Sequence, residues 1–496
     1  MRAVRIPVRR GIGRARRAAG TVPGRRRAPR LTPAAVLAAA VCAVAACAGG
    51  GAPGGGATAP AQRTIGGTGA GPGPYPAAAW PEFNQNAART GVAAGPPAAG
   101  PLSLRWTARL DGAVYGQPLV VGDMVIAATE NDSVYALSES TGRVLWRSHV
   151  GTPVPLSSLP CGDIDPLGIT GTPAYDAGDG LVYAVAETAG YHHVLFGLSV
   201  RDGTVRVERD IPAPDGHPED DQQRPGLAID AGRVYVTFGG LAGDCGQYAG
   251  SVVGVPVSGG GPLVSWRVPT RKGGAIWGTA GPVAGPDGDL WVSTGNGAAG
   301  AGQAYDGSDS VTRLSPGLVR MSFFAPEVWA QDNQTDADLG STQPVLAAGG
   351  AAFIMGKRGV GYLLDAANLG GIGGQLAARP VCAAFGAAAV DGDTVYEPCS
   401  DGGMAAIAVN AADRKISVLW RGPSGAAGSP VVGGGAVWVT RYSDSDGALY
   451  ELDPASGAVK GQLTIDEGLP HFSSLSLAGG TAFVGTLRGV VAVSGA

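Results

Sequence analysis

From Gln117 to Trp146 the chain reads QPLVVGDMVIAATENDSVYALSESTGRVLW, which is four short apolar runs parted by polar and glycine-rich turns. Runs of this length, bounded by Gly, Asp and Asn and rich in Val and Ile, predict strands rather than helices. Variants of the unit recur at 172–187, 224–239, 281–296, 343–366, 387–409, 429–457 and 473–493. Their first strands begin near 118, 173, 225, 282, 344, 388, 430 and 474, so successive copies lie 42 to 62 residues apart.

Eight four-stranded units of this size predict an all-β fold, an eight-bladed β-propeller over 103–495. A single small sheet cannot bury both of its faces, and stacking blades in a ring supplies the missing cover. The last copy ends at Val493 without a fourth strand, while Leu102–Leu110 (LSLRWTARL) is a strand with no copy before it. The N-terminal strand is therefore expected to complete the eighth blade and close the ring, which also removes exposed sheet edges.

Composition agrees with many turns, since Gly (84) and Pro (37) make up about a quarter of the 496 residues. The formal charge of −4 is an average over two unlike segments. Residues 1–46 hold 11 Arg and no Lys, Asp or Glu, and end in the apolar run 34–46. A basic region, a short apolar run and small residues before a cleavage point predict an export signal. The run is shorter than the ~20 residues a membrane span needs. Val44-Ala45-Ala46-Cys47 is similar to a bacterial lipobox, in which Cys47 would be acylated; an ordinary signal peptide with an incidental cysteine is the alternative. The Gly/Ala/Pro tract over 47–79 reads as a flexible tether, and 80–102 as a lead-in segment. The basic leader is unusually long, which fits a translation start downstream of Met1. Without residues 1–46 the chain keeps 25 basic and 40 acidic residues, a net −15. Such a charge argues against nucleic acid or an anionic membrane surface as a partner.

Cys42 goes with the leader and Cys47 would carry the lipid, which leaves four cysteines, and an even number in an oxidising compartment predicts two disulfides. Cys382 and Cys399 flank one turn and strand and are the expected pair, leaving Cys161 with Cys245. No CxxC or Cys/His cluster suggests zinc.

Ala136-Leu137-Ser138-Glu139-Ser140-Thr141-Gly142-Arg143-Val144-Leu145-Trp146 resembles the A-x-D-x-x-T-G-K-x-x-W docking motif of quinoprotein propellers, with Ser138 for the Asp and Arg143 for the Lys. Tyr450 through Gly457 is a weaker copy. Trp80-Pro81-Glu82-Phe83 through Arg89-Thr90-Gly91 resembles the lead-in of bacterial proteins with PQQ-type repeats, and the resemblance spans about 80–495. It implies that the Trp packs between adjacent blades and that Thr-Gly makes the turn feeding it. Gly- and Ala-rich usage also resembles actinobacterial proteins.

Ile276-Trp277-Gly278 and Ser293-Thr294-Gly295-Asn296 are similar to part of the quinoprotein alcohol dehydrogenases. There the Trp stacks under the pyrroloquinoline quinone (PQQ) ring and the Asn oxygen coordinates Ca²⁺. The resemblance thus implies Trp277 as cofactor-binding and Asn296 as a metal ligand, roles that suit a flat indole and a neutral amide oxygen. The enzymes' D-x-W-D sequence, whose first Asp is the proposed base, reads Thr335-Asp336-Ala337-Asp338 here. Asp336 and Asp338 are the nearest carboxylates and the catalytic candidates. The enzymes' adjacent Cys-Cys pair and a haem-attachment C-x-x-C-H are both missing. One matching ligand does not hold calcium, and quinone-dependent oxidation needs both a base and a metal.

Other motifs read as structure. Asp163 and Asp165, and Asp444 and Asp446, are D-x-D loops typical of turns that bond their own backbone. His192 and His193 alternate to opposite faces of a strand, and Pro218-Glu219-Asp220-Asp221 reads as a solvated loop. No nucleophile elbow or phosphate loop is present. The expectation is an exported, lipid-anchored propeller at the outer face of the cell membrane, acting as a binding or scaffolding module. The alternative is a PQQ- and Ca²⁺-dependent dehydrogenase of an alcohol or sugar. The expected partners are an envelope protein or a small molecule at the propeller mouth, and the membrane through lipid alone, for a monomer.

Overall fold

The structure, a computed structural model, describes residues 75–93, 101–400 and 403–495. The export signal, Cys47 and all of the tether before Tyr75 lie outside the described residues. The repeats form eight sheets, one per blade, antiparallel except where Gly371–Ile372 pairs in parallel with Phe324 and Ala325 at the edge of blade 4. Blade 1 consists of Leu119–Val121, Met124–Thr129, Ser133–Ser138 and Val144–His149. Its first three strands are buried almost throughout, whereas the fourth alternates between exposed and half-buried on the outer rim. The same order recurs in blades starting at Ala174, Ala228, Val283, Val345, Ala389, Val431 and Leu475.

The ring closes as its unmatched strand requires. Leu102–Arg109 pairs with Gly489–Gly495, from Leu102 opposite Gly495 to Arg109 opposite Gly489. Blade 8 is thus built from both ends of the chain.

Apolar burial is distributed between blades rather than gathered at one centre. Ile126 and Val134 of blade 1 pack with Tyr175 and Phe196 of blade 2. Tyr183 and Val185 then meet Val236 and Phe238 of blade 3, and across the closure Phe483 and Val491 meet Val125 and Tyr135. The tryptophans of the outer strands clamp these layers. Trp106, Trp146 and Trp420 each donate Nε1–H to a carbonyl of the following blade, Glu139 (2.9 Å), Val200 (2.9 Å) and Pro454 (2.8 Å). Each indole also covers a glycine of that next blade's turn: Gly142, Gly203 and Gly457, all at positive φ. The Trp and the Thr-Gly of one repeat therefore serve opposite interfaces. In blade 2 the Trp position is Val207, which packs on Gly259.

The lead-in segment runs across the inner strands of several blades. Ala78–Trp80 adds a strand beside Leu119–Val121. Pro81, Ala87, Thr90 and Gly91 then accept backbone N–H bonds from Tyr175, Ala284, Val390 and Val432 of four further blades. Arg89, fully buried, pairs with Glu82 (2.9 Å) and donates to the carbonyls of Phe83, Leu227 and Pro282.

Both expected disulfides are present, Cys161–Cys245 and Cys382–Cys399. Two other features depart from the sequence reading. Trp329–Thr335 is a short α-helix inside blade 4's exit, capped by Asp336 in the left-handed region. The acidic run is not solvated throughout: Asp220 and Asp221 are buried, and burial, then Asp215, pushes Asp221 up to about 9. Asp220 accepts the Gln247 N–H at 2.6 Å.

Candidate functional site

The chain segment between blades 3 and 4 carries Trp277. Gly273 and Gly274 both take positive φ there, and Gly274 N–H binds the Asn296 carbonyl at 2.6 Å. A Cβ at Gly273 would collide with that same carbonyl, so glycine is required for this approach. Ala275 accepts the Gly295 N–H and Ile276 donates to Phe238, which fastens the Trp277 backbone to two blades. Asn296 follows the strand Leu290–Thr294, and Asp336 and Asp338 follow the short helix.

These elements bring the four sequence candidates into one cluster. The Asn296 backbone donates to Asp338 (2.6 Å), and its Nδ2 donates to Asp336 (3.0 Å). A fifth residue, Lys357, sits among them. Its Nζ lies 2.7 Å from both Asp336 and Asp338, and 5.6 Å from the Trp277 ring centroid. Lys357 follows the blade 5 strand Ala351–Ile354. The only local signal for it was a Lys-Arg pair after an apolar strand in a chain with 15% charged residues.

Burial raises the Asp338 carboxyl above the ordinary carboxylate range, and Lys357 pulls it back only in part. Burial works against the Lys357 ammonium, but Asp338 and then Asp336 outweigh it and hold the lysine above its usual value. Asn296 Oδ1 is enclosed and has no hydrogen-bond partner. These oxygens are the ones a calcium ion would use, but the ammonium already stands between the two carboxylates. As arranged, the residues do not fit the ion, and three oxygens fall short of its usual six to eight ligands.

Beside Trp277 opens a cavity of about 320 Å³, lined also by Arg224, Lys357, Asp338, His471 and Phe472. A second hollow of about 350 Å³ adjoins it on the Asn296 side and shares Trp277 and Asp338. Phe472 stacks on Phe385 (6.0 Å, 5°), and both rings tilt against Trp277. The Cys161–Cys245 bridge holds the wall at Gly243 and Asp244. A separate, far smaller pocket of about 10 Å³ shares Arg224, His471 and Phe472 with this cavity and is lined also by Thr279 and the lead-in residue Phe83.

Of the remaining motifs, Asp163 lines the cavity beside Trp277, 3.6 Å from His471, and the others lie apart from it or serve as turns. His192 is exposed beside Asp210, whereas His193 is buried against Phe238 and 3.3 Å from Glu187. Asp165 and Asp446 bond neighbouring backbone or hydroxyls. Among the described residues, His217, Glu219 and Asp220 bring three potential metal-ligand atoms within 4.8 Å, with one Asp220 oxygen already engaged by Gln247.

Comparison with known proteins adds to the fold. Residues 101–310 match a family described as outer membrane protein assembly factor BamB. No curated protein sequence gives a significant match. Among solved structures, quinohemoprotein alcohol dehydrogenase from Comamonas testosteroni superposes with TM-score 0.65 at 16% identity, over 84% of this chain and 80% of that one. A europium-containing methanol dehydrogenase gives 0.64 at 16% identity, over 86% and 98%. BamB from Moraxella catarrhalis gives 0.54 at 15% identity, over 79% and 99%. Likenesses at this identity show the architecture alone. The chain is an eight-bladed β-propeller, and over residues 101–310 it is similar to the BamB family of PQQ-type repeats.

Proposed function

We propose that this chain is an exported binding propeller, held at the outer face of the cell membrane by lipid on Cys47, that takes a small molecule into its mouth, the cavity beside Trp277. The observation that carries the reading is that aromatic cavity of about 320 Å³. Cavities of this size with a few inward polar groups are the usual form of small-molecule sites.

The test is native mass spectrometry of protein purified from its own membrane, with Trp277→Ala alongside. The reading expects a small molecule that co-purifies with wild type and is lost from the variant. Identical spectra from the two would refute it. Anchoring has its own test: Cys47→Ser should move the protein out of the membrane fraction, and unchanged retention would refute the lipid.

A second reading, a PQQ- and Ca²⁺-dependent dehydrogenase, is favoured by the free Oδ1 of Asn296 beside Trp277. Against it stand the Lys357 ammonium between the two candidate base carboxylates and Thr335 at the enzymes' base position. Purified protein supplied with PQQ and Ca²⁺ should leave an artificial electron acceptor oxidised in the presence of alcohols and sugars. Reduction that disappears in Asn296→Ala would establish the enzyme instead.

A further inference from the structure

Several buried or half-buried cations of the propeller come with their anions. Arg89 has Glu82, Lys357 has Asp336 and Asp338, Arg313 has Asp287 and Asp289, and Arg358 has Asp332. Arg233, Arg267 and Lys272 are half-buried without a carboxylate partner among the described residues. Arg224 also has none, and it lines both the cavity beside Trp277 and the small pocket that adjoins it. It lies in the run Gln222-Gln223-Arg224-Pro225 ahead of blade 3, and its guanidinium stands 5.1 Å over the Phe472 ring. Its Nε is enclosed without a hydrogen-bond partner, and among the described residues no carboxylate comes within 4.0 Å of it. The charged and titratable groups that face it at longer range are Asp163, Tyr115, Glu130 and His471. Asp163 lies against His471 at 3.6 Å, and Glu130 accepts the Gly168 N–H.

Leaving a cation inside a protein without a counter-ion is costly, and guanidinium does not discharge to escape the cost. Burial draws its pKa down, yet the group stays protonated. A second observation points to the same place. Thr279 Oγ1 is also enclosed without a partner. Arg224 and two enclosed hydroxyls without partners, those of Thr170 and Thr279, thus line one small pocket.

We propose that the missing counter-ion belongs to the ligand: Arg224 receives the oxyanion head, carboxylate or phosphate, of a small ring-bearing molecule whose flat part rests against Trp277 and Phe472. The proposal rests on the reading of the mouth as a binding cup and names the chemistry that the cup selects. A planar guanidinium presents two parallel donors to an oxyanion, which gives orientation as well as affinity. Stacking on Phe472 keeps the fork aimed, and Lys357, engaged by two carboxylates, is left to shape the wall. Without ligand, the site carries an unpaired charge.

The experiment titrates the full-length chain in detergent with three probes sharing one ring system: 1-naphthoate, 1-naphthyl phosphate and neutral 1-naphthamide. Binding is read by calorimetry and tryptophan fluorescence. At least one anionic probe should bind about tenfold or more tightly than the amide, the scale of one charge-assisted hydrogen bond. The ratio of the two anions distinguishes the carboxylate from the phosphate source. Arg224→Gln should erase the preference while Arg224→Lys retains part of it, and circular dichroism and melting establish that both variants are folded. Equal binding of acid and amide by wild type would overturn the proposal while leaving the cup reading intact. Failure of all three probes to bind, or a preference that survives in folded Arg224→Gln, would overturn it as well. Trp277→Ala without effect on any probe would count against the cup itself.

Discussion

Replacing Arg89 with Met should destabilise the propeller more than almost any other single change, because it unfastens the lead-in segment. Arg89 is fully buried, holds the Glu82 carboxylate at 2.9 Å, and donates to the carbonyls of Phe83, Leu227 and Pro282 at 3.0, 2.7 and 3.1 Å. Methionine keeps most of the volume and none of the donors. Stranding one partner of a buried ion pair costs about 3–5 kcal/mol. An orphaned carbonyl adds about 1–3 kcal/mol, although neighbouring terms do not sum. A total near 5 kcal/mol is a fair working figure. For a propeller of roughly 390 residues the unfolding entropy is about 0.8 kcal/mol per degree, so the melting temperature should fall by about 6 °C. Burial already raises the Glu82 carboxyl, with Arg89 restraining it, so losing the guanidinium should drive Glu82 further toward the neutral acid. Adding Glu82→Gln to Arg89→Met should then recover part of the loss. Differential scanning calorimetry of both variants measures the effect. A fall below about 1 °C for Arg89→Met would refute the lead-in segment as a fastening between blades.

Four further outcomes are expected. Glu130, Asp132 and Asp221 are pushed up by burial to about 7, 8 and 9; each binds its proton more tightly folded than unfolded, so its contribution is complete below about pH 4 and is lost as pH rises through those values. These groups should accordingly lower the melting temperature progressively from about pH 4 up to about pH 9, and a flat or rising profile over about pH 6 to 9 would contradict the burial of these carboxyls. Gly203→Val forces a β-branched residue into φ +72° with its Cβ only 2.6 Å from Trp146, an expected loss of about 3 kcal/mol that chemical denaturation would reveal. Removing the Cys161–Cys245 bridge, which spans 84 residues, should cost about 4.5 kcal/mol by loop entropy and weaken probe binding at the mouth, both measurable on the Cys161→Ser/Cys245→Ser pair. Arg224→Met should melt at the same or a higher temperature than wild type in the absence of ligand, and a lower one would mean that the guanidinium is paired in the folded protein.

The blades were legible because each is written locally: a few apolar residues, a Gly- or Asp-containing turn, and the pattern again. Closure was legible for the same reason, since Leu102–Leu110 had no partner strand of its own. What crosses between blades was less visible. Trp146 and Thr141-Gly142 stand in one motif, yet the indole serves Gly203 and the turn receives Trp106. The helix Trp329–Thr335 spans seven residues, too few to show a helical period. The buried state of Asp221 depends on pairing with Gly240, nineteen positions on. At the mouth, Trp277, Asn296, Asp336 and Asp338 were found by resemblance, and the structure brings them together. Lys357 and Arg224 were not found, because a cation's meaning lies in which carboxylates face it, and those come from other blades or are absent among its neighbours.

Where a ligand sits in the mouth is the most direct test of Arg224 as the oxyanion site. A crystal structure of the protein soaked with 1-naphthoate is predicted to show the ring against Trp277 and Phe472, with the carboxylate about 3 Å from the Arg224 guanidinium. A cavity holding only water at the same probe concentration, or a carboxylate turned outward from Arg224, would contradict it.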